Sequence, residues 1–324
     1  MPFAIRMHRT GGPEVMCWEE LAVADPAPGE ARVRHHAVGL NYIDIYHRSG
    51  LYPLQLPNGL GLEAAGVVEA VGAGVSELRP GDRVAYAGGP VGAYSQIRCL
   101  PANRLLKLPD AIDFRTAAAM MLQGLTSAYL LRRTYRVQAG DSVLIHAAAG
   151  GVGLIACQWA KALGATVIGT VSTAAKAALA AAHGCDHVID YTREDFARRV
   201  REITVGEGVA VVYDGVGKDT FAGSLDSLRT CGMLVSFGNA SGPVPPFDPL
   251  LLSQKGSLFL TRPTLMHYTA KREDLLALGA QLFDVVGSGQ VKIEVNQTYP
   301  LAEVAQAHRD LEGRKHSGST ILLP

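Results

Sequence analysis

The sequence is short of several things. Aromatic residues make up 6% of its 324 positions and charged residues 19%. Lysine plus arginine, at 30, equals aspartate plus glutamate, at 30, so the formal net charge is zero. No bulk basic surface is available to displace counterions from phosphates, and nucleic acid is not the expected ligand. Cysteine is scarce and scattered: Cys17, Cys99, Cys157, Cys185 and Cys231, with no C-x-x-C pair. An odd, widely spaced set argues against a disulfide framework and a structural zinc knot, and fits a reducing cytoplasm. The N-terminal stretch Met1–Arg9 lacks the apolar core of a signal peptide. The most apolar region, Ser142–Ala182, is interrupted by His146, a glycine cluster, Gln158 and Lys161, and reads as soluble core rather than a membrane span.

What is present is a globular composition in a chain too long for one ordinary core, so two domains are expected. Residues 1–110 read as short strands between turns. Candidate strands are Phe3–Arg9, Ala31–Leu40, Glu63–Val71, Arg83–Ala87 and Tyr94–Leu100. The turns include Gly11-Gly12-Pro13, Pro26-Ala27-Pro28-Gly29 and Pro80-Gly81-Asp82. A β-rich module with little helix is expected. Phe114–Leu131 then reads as a helical run.

From Ser142 onward, strands alternate with helices. Strands are expected at Ser142–Ala147, Thr166–Val171, His187–Ile189, Ala210–Tyr213 and Met233–Phe237. Helices are expected at Val152–Leu163, Ala174–His183, Arg193–Ile203 and Thr220–Leu228. Alternation of this kind means βαβ units and a parallel sheet. The tail carries a strand at Ser257–Leu260, helices at Glu273–Val286 and Ala302–Leu311, and a strand at Gly318–Leu323 that would return to the first module.

The segment Ala147-Ala148-Ala149-Gly150-Gly151-Val152-Gly153 follows a strand and opens a helix, the context of a dinucleotide-binding turn. Gly150 lets backbone approach a pyrophosphate. Gly153 lets the helix sit close to the strand. The helix N-terminus offers amide hydrogens to phosphate. Ala148 replaces the first glycine of the usual pattern. NAD-binding turns place an acidic residue about 20 positions further on. Here the second strand ends Gly169-Thr170-Val171-Ser172-Thr173 with no carboxylate, Lys176 follows, and Tyr191 ends the next strand. Ser172 and Thr173 can hydrogen-bond a 2′-phosphate and Lys176 can supply charge, which favours NADPH over NADH. The alternative for Lys176 is a solvated helix lysine.

The run Gly61-Leu62-Glu63-Ala64-Ala65-Gly66-Val67-Val68-Glu69-Ala70-Val71-Gly72, with Pro80-Gly81-Asp82-Arg83-Val84, resembles the signature of medium-chain dehydrogenases/reductases. His146–Gly153, Asn41-Tyr42-Ile43-Asp44, Ser49-Gly50-Leu51-Tyr52-Pro53, Gly124-Leu125-Thr126 and Thr261-Arg262-Pro263 resemble its zinc-independent quinone oxidoreductase (zeta-crystallin-like) branch. The resemblance spans essentially the whole chain. It implies an α/β protein with a GroES-like catalytic domain, 1–122 and 263–324, and a Rossmann doubly wound parallel-sheet domain, 123–262. It also implies a cleft between the domains and a homodimer.

Zinc-dependent members carry Cys where this chain has Asn41 and His where it has Leu62, so no metal is expected. The implied activity is NADPH-dependent reduction of a small-molecule quinone. Reduction of α,β-unsaturated aldehydes or ketones is the alternative, and an RNA-binding or structural role a more distant one. Asn41, Tyr46 and Tyr52 are the candidate catalytic residues, each tyrosine being otherwise a packing aromatic. Asn41, Thr126, Ala149, Gly150, Gly151, Val152, Gly153, Ser172, Thr173, Lys176, Tyr191, Gly215, Phe237, Gly238, Asn239, Ser241, Arg262 and Arg314 are the candidate cofactor contacts. Asp214, at the end of a strand, either faces the ligand or caps the next helix.

Overall fold

The computed structural model describes residues 1–324. The chain divides into two compact units: Met1–Leu125 with Thr269–Gly287 and Ile293–Pro324, and Thr126–Tyr268 with Ser288–Lys292.

The first unit is built on a mainly antiparallel sheet. Its strand order is Val295–Pro300, Ser319–Leu323, Glu30–Leu40, Glu63–Val71, Arg83–Ala87 and Leu106–Lys107, with Ile97–Pro101 pairing the early half of Glu30–Leu40. The C-terminal strand lies antiparallel to Glu30–Leu40, with Ile321 opposite Gly39. Alternation along the long strand buries Val33, His35 and Ala37 and leaves Arg34 and His36 exposed, as a strand with period two requires. A three-stranded sheet of Cys17–Glu20, Phe3–Met7 and Asn58–Gly59 completes the unit. The core gathers Ile5, Met7, Val33, Val38, Leu60 and Tyr94 with Leu301, Val304 and Leu322 from the C-terminal segment.

Several elements depart from the sequence expectation. Tyr42–Ser49 is a helix, in a module where little helix was expected. Its N-cap Asn41 and the acidic Asp44 three residues on are a capping signal that the strand-rich context masked. The expected strand Tyr94–Leu100 begins only at Ile97. The run Phe114–Leu131 is interrupted after Ala118 and resumes at Met121, its last turn widening into a π-helix over Leu130–Thr134.

The second unit is a six-stranded, wholly parallel sheet. Its order is His187–Asp190, Thr166–Val171, Ser142–Ile145, Val209–Asp214, Leu228–Ser236 and Phe259–Thr261. Numbered along the chain this is 3-2-1-4-5-6, the doubly wound order, whose switch point lies between the first and fourth strands. The strand expected near Ser257 is therefore the sixth member of this sheet rather than part of a separate tail. Val209–Asp214 is buried along its whole length, which is why it reads as an unbroken apolar run. Cys157 and Cys185, 28 residues apart, bring their sulfurs to 3.3 Å as free thiols, a proximity that their spacing does not announce.

Candidate functional site

In the second unit the glycine turn sits at the carboxyl end of the first strand, at the switch point. Ala147 takes a left-handed φ of 52°, a conformation that costs a non-glycine residue energy and is held by its surroundings. Ala148 N donates to Thr170 O at 3.1 Å and Gly150 N to Ala147 O at 2.8 Å, closing the turn. The helix Gly151–Ala162 follows. Its first amides, on Gly151, Val152 and Gly153, have no acceptor a turn back within the helix, as at any helix start. A Cβ on Gly153 would overlap Ala147 O and stand 2.6 Å from Ala148 O. The helix is thus seated directly on backbone, and its N-terminal amides are aimed past the strand end. This cradle fits a pyrophosphate.

His146, at the mouth of the turn, is buried and neutral, burial pushing it below its ordinary value. Asp214 settles its tautomer. The Asp214 carboxylate accepts from Val216 N (2.8 Å), Gly217 N (3.0 Å), Thr220 Oγ1 (2.7 Å) and Ser224 Oγ (2.9 Å). Ser224 has spent its hydrogen there, so His146 Nε2 donates to Ser224 Oγ at 3.0 Å and Nδ1 accepts from Thr170 Oγ1 at 2.8 Å. Asp214 is therefore a loop and helix cap, not a group facing a ligand.

The second and third strands end side by side, with Val171 opposite Asp190. This brings Ser172, Thr173 and Lys176 to the same sheet edge as Tyr191, whose amide donates to Val171 O at 3.1 Å. Thr173 Oγ1 caps the helix Ala174–Ala182 through Lys176 N (3.3 Å). Asp190 is the one carboxylate here, and it is turned onto Thr192 (Oγ1 2.7 Å) and Arg193 (3.5 Å).

Beyond the fifth strand, Phe237 N donates to Asp214 O at 2.8 Å. A Cβ on Gly238 would collide with Gly215 O, so these two loops run in backbone contact. The Ser241 hydroxyl closes its own loop, donating to Val216 O (2.9 Å) and accepting from Asp219 N (3.0 Å). Arg262 Nη1 donates to Ser236 O at 2.9 Å, and its Nη2 lies 3.3 Å from the Asn239 amide oxygen. Thr126 and Ala149 are buried, and Arg314 is exposed beyond the helix Val304–Glu312 of the first unit, with a left-handed φ of 56°.

In the first unit, Tyr42, Tyr46 and Tyr52 pack in a file, their rings tilted by 60° and 57° with centroids 5.5 and 5.0 Å apart. Asn41 stands between two buried carboxylates. Its backbone N donates to Asp44 Oδ2 at 2.9 Å, and its Nδ2 donates to Glu63 Oε2 at 2.6 Å. Its Oδ1 accepts from Gln123 Nε2 at 3.2 Å, and Gln123 Oε1 accepts from Ser319 Oγ at 2.7 Å.

Asp44 also anchors a second chain. Arg48 Nη1 donates to His308 Nδ1 (3.1 Å), which forces the His308 hydrogen onto Nε2, toward Tyr94 Oη (3.1 Å). Tyr94 Oη then donates to Asp44 Oδ2 (2.8 Å). Glu63, Asp44, Gln123, Ser319, Arg48 and His308 were not among the candidate site residues read from the sequence. The available signal was a carboxylate in the otherwise apolar strand Glu63–Val71.

These buried groups make stability pH-dependent. Burial pushes His35 and His308 from 6.5 down to about 3. Burial pushes Asp44 from 3.8 up to about 7 and Glu63 from 4.5 up to about 8. Between pH 6.5 and 3 the unfolded chain binds protons that the native histidines refuse, so stability falls as pH falls. Between the unfolded and folded values of the two carboxyls the native state holds protons that the unfolded chain has released, so stability falls as pH rises. The effects oppose one another from about pH 4.5 to 6.5, with His47 and His316, also held below their ordinary value by burial, on the histidine side; above that range only the carboxyls act and stability should decline as pH rises. The urea midpoint of the first unit, read from Trp18 in a Trp159→Phe background, checks this. A steady rise from pH 5 to about 8 would contradict it.

A GroES-like sheet and a 3-2-1-4-5-6 nucleotide sheet in one chain define a two-domain medium-chain dehydrogenase/reductase. Residues 27–110 match the family described as alcohol dehydrogenase GroES-like domain, and residues 151–280 the family described as zinc-binding dehydrogenase. A quinone oxidoreductase of Pseudomonas aeruginosa is 56% identical over 315 residues, 97% of each chain. A 2-haloacrylate reductase of a Burkholderia species is 48% identical, covering 100% of this chain and 99% of its own. The crystal structure of Escherichia coli quinone oxidoreductase complexed with NADPH superposes with a TM-score of 0.98 at 51% identity, covering 99% of this chain and 100% of that one. The chain belongs to the quinone oxidoreductase family of medium-chain dehydrogenases/reductases.

The zinc in one family description does not fit the residues here. Leu62 has no donor atom, and Asn41 directs an N–H, not a lone pair, at Glu63. No helix is long and apolar enough to cross a membrane.

Proposed function

We propose that this protein reduces quinones with NADPH and without a metal ion. The full-length likeness to the Escherichia coli enzyme complexed with NADPH carries the reading. When bound, NADPH supplies hydride to the acceptor. The protein's part is to bind, orient and stabilise. The amides of Gly151, Val152 and Gly153 hold the pyrophosphate, with Ala149 and Gly150 shaping the turn. Ser172, Thr173, Lys176 and Tyr191 receive the 2′-phosphate. Gly215, Phe237, Gly238, Asn239, Ser241, Arg262, Thr126 and Arg314 complete the cofactor contacts, those of Ser241 being through the loop it closes. On the catalytic side, 1–122 and 263–324, Asn41 donates to the acceptor oxygen that gains charge, and Tyr46 and Tyr52 shape the pocket.

The protein acts in the cytoplasm as a homodimer. The edge strand Phe259–Thr261 supports the dimer, since it leaves Phe259 57% exposed beside unpaired backbone.

The test is NADPH oxidation with 1,4-naphthoquinone against a small enone or 2-haloacrylate, the competing substrate class raised by the Burkholderia relative. Turnover of the quinone at higher kcat/KM supports the reading, and turnover of the activated alkene alone overturns it. Lys176→Ala should raise KM for NADPH roughly tenfold, the scale of one charge-assisted hydrogen bond. KM for NADH should not change. An equal rise for both cofactors would remove Lys176 from the 2′-phosphate site.

A further inference from the structure

We propose that Glu63 is the positioning residue for Asn41: it anchors one end of a reversible hydrogen-bond chain whose polarity decides which face of the Asn41 carboxamide is the donor. The chain runs Glu63–Asn41–Gln123–Ser319, and its members are all buried. With Glu63 ionised, every hydrogen points toward the carboxylate. Ser319 Oγ donates to Gln123 Oε1, Gln123 Nε2 to Asn41 Oδ1, and Asn41 Nδ2 to Glu63 Oε2. Leu122 N holds the other carboxylate oxygen at 2.7 Å.

With Glu63 protonated at Oε2, having taken the proton from water, that arrangement sets donor against donor. A half-turn of each amide repairs it without moving any other heavy atom. Glu63 then donates to Asn41 Oδ1, Asn41 Nδ2 to Gln123 Oε1, and Gln123 Nε2 to Ser319 Oγ. The displaced Ser319 hydrogen needs an acceptor, and one is in place: Ala119 O lies 2.9 Å from Ser319 Oγ. Every link of the chain keeps one donor and one acceptor in both states, so the chain can reverse rather than break.

Room for the carboxylate depends on Gly39, where a Cβ would overlap Glu63 Oε2 and Ala118 O. The titratable groups that act on Glu63 are Asp44, from the helix Tyr42–Ser49, Tyr86, from the strand Arg83–Ala87, and Tyr94. Burial pushes the Glu63 carboxyl up to about 8, against the pull of Asn41 and the Leu122 and Met121 amides, so the two states exchange near neutral pH.

The kinetic consequence rests on the proposed quinone reduction, in which Asn41 donates to the acceptor. The ionised state is then the productive one, and kcat/KM rises with pH. Glu63→Gln imitates the protonated acid, because its Nε2 faces Asn41 as a donor and reverses the chain. It should lose kcat/KM roughly 10- to 100-fold, approaching Asn41→Ala, and should lose the pH dependence, on the scale of one misdirected oxyanion donor. Its melting temperature should stay near the wild type, since its hydrogen bonds remain satisfied. A purely structural Glu63 predicts wild-type kinetics for this variant, and that result would overturn the proposal.

A readout independent of turnover comes from the side-chain amides of the five asparagines in protein labelled with 15N-asparagine. The Asn41 signal, assigned by its loss in Asn41→Ala, should shift between about pH 6 and 9 in the wild type and stay fixed in Glu63→Gln. A wild-type signal that ignores pH overturns the chain, and this measurement decides even if the variant does not fold. A signal that titrates in a protein that turns over no quinone would sink the functional reading and leave the chain standing.

Discussion

A Gly153→Val protein should bind NADPH at least roughly 100-fold more weakly, the worth of two lost amide–phosphate hydrogen bonds at about 1.5 kcal/mol each. The side chain has nowhere to go. Its Cβ would overlap Ala147 O and approach Ala148 O, and both are backbone atoms of a turn already fixed by Ala148 N to Thr170 O and Gly150 N to Ala147 O. The helix must lift from the strand, and the amides of Gly151, Val152 and Gly153 move with it. The same displacement should destabilise the second unit by about 1–3 kcal/mol, the usual cost of overpacking.

Gly150 provides the contrast. A Cβ there meets only Ala147 O, at 3.1 Å, a contact that a shift of a few tenths of an ångström relieves, so Gly150→Ala should lower the melting temperature far less than Gly153→Val. Fluorescence titration with NADPH, alongside thermal melts of both variants, separates close helix seating from mere flexibility. Wild-type affinity in Gly153→Val would mean that the cradle is not the cofactor site.

The second large effect is expected at Arg48, whose side chain is 2% exposed. Its guanidinium donates to Gly11 O (3.2 Å), to His308 Nδ1 (3.1 Å), and to both Glu312 oxygens (2.6 and 3.1 Å). One side chain thus joins the helix that presents Tyr46, the N-terminal loop and the C-terminal helix Val304–Glu312. Arg48→Met keeps the aliphatic length and strips three acceptors of their donor. Glu312, with a third of its side chain exposed, can turn to water, but the fully buried His308 cannot. The expected loss is roughly 3 kcal/mol, at the lower end for breaking a buried ion pair. It should appear in the first unit's urea midpoint, read from Trp18, while the second unit, read from Trp159, is untouched. A change within about 1 kcal/mol would show that the bidentate pair is replaceable by packing.

Much of the second unit was legible in the chain, because its determinants are local. Five of its six strands are apolar runs separated by helices of regular period, and Gly150 to Gly153 must sit at a strand-to-helix turn wherever the rest of the chain goes. The absence of a carboxylate after Val171 could likewise be read without coordinates, as could the mismatch of Asn41 and Leu62 with zinc. The helix Tyr42–Ser49 was missed because eight residues carry too few turns for periodicity to outweigh a strand-rich neighbourhood.

What only the tertiary structure decided is the company each polar residue keeps. Asn41 meets Gln123 across 82 positions of sequence, Gln123 meets Ser319 across 196, and Arg48 meets Glu312 across 264. No spacing rule reaches that far. Helix and strand periods encode which face of an element is buried, whereas hydrogen-bond direction depends on which acceptors the folded sheet brings opposite it. The sequence by itself determined the strand, glycine turn and helix of residues 142–163, and the lack of zinc-ligand side chains at Asn41 and Leu62. Whether Asp214 faces a ligand or caps a loop, and what holds Asn41 in place, was decided by packing.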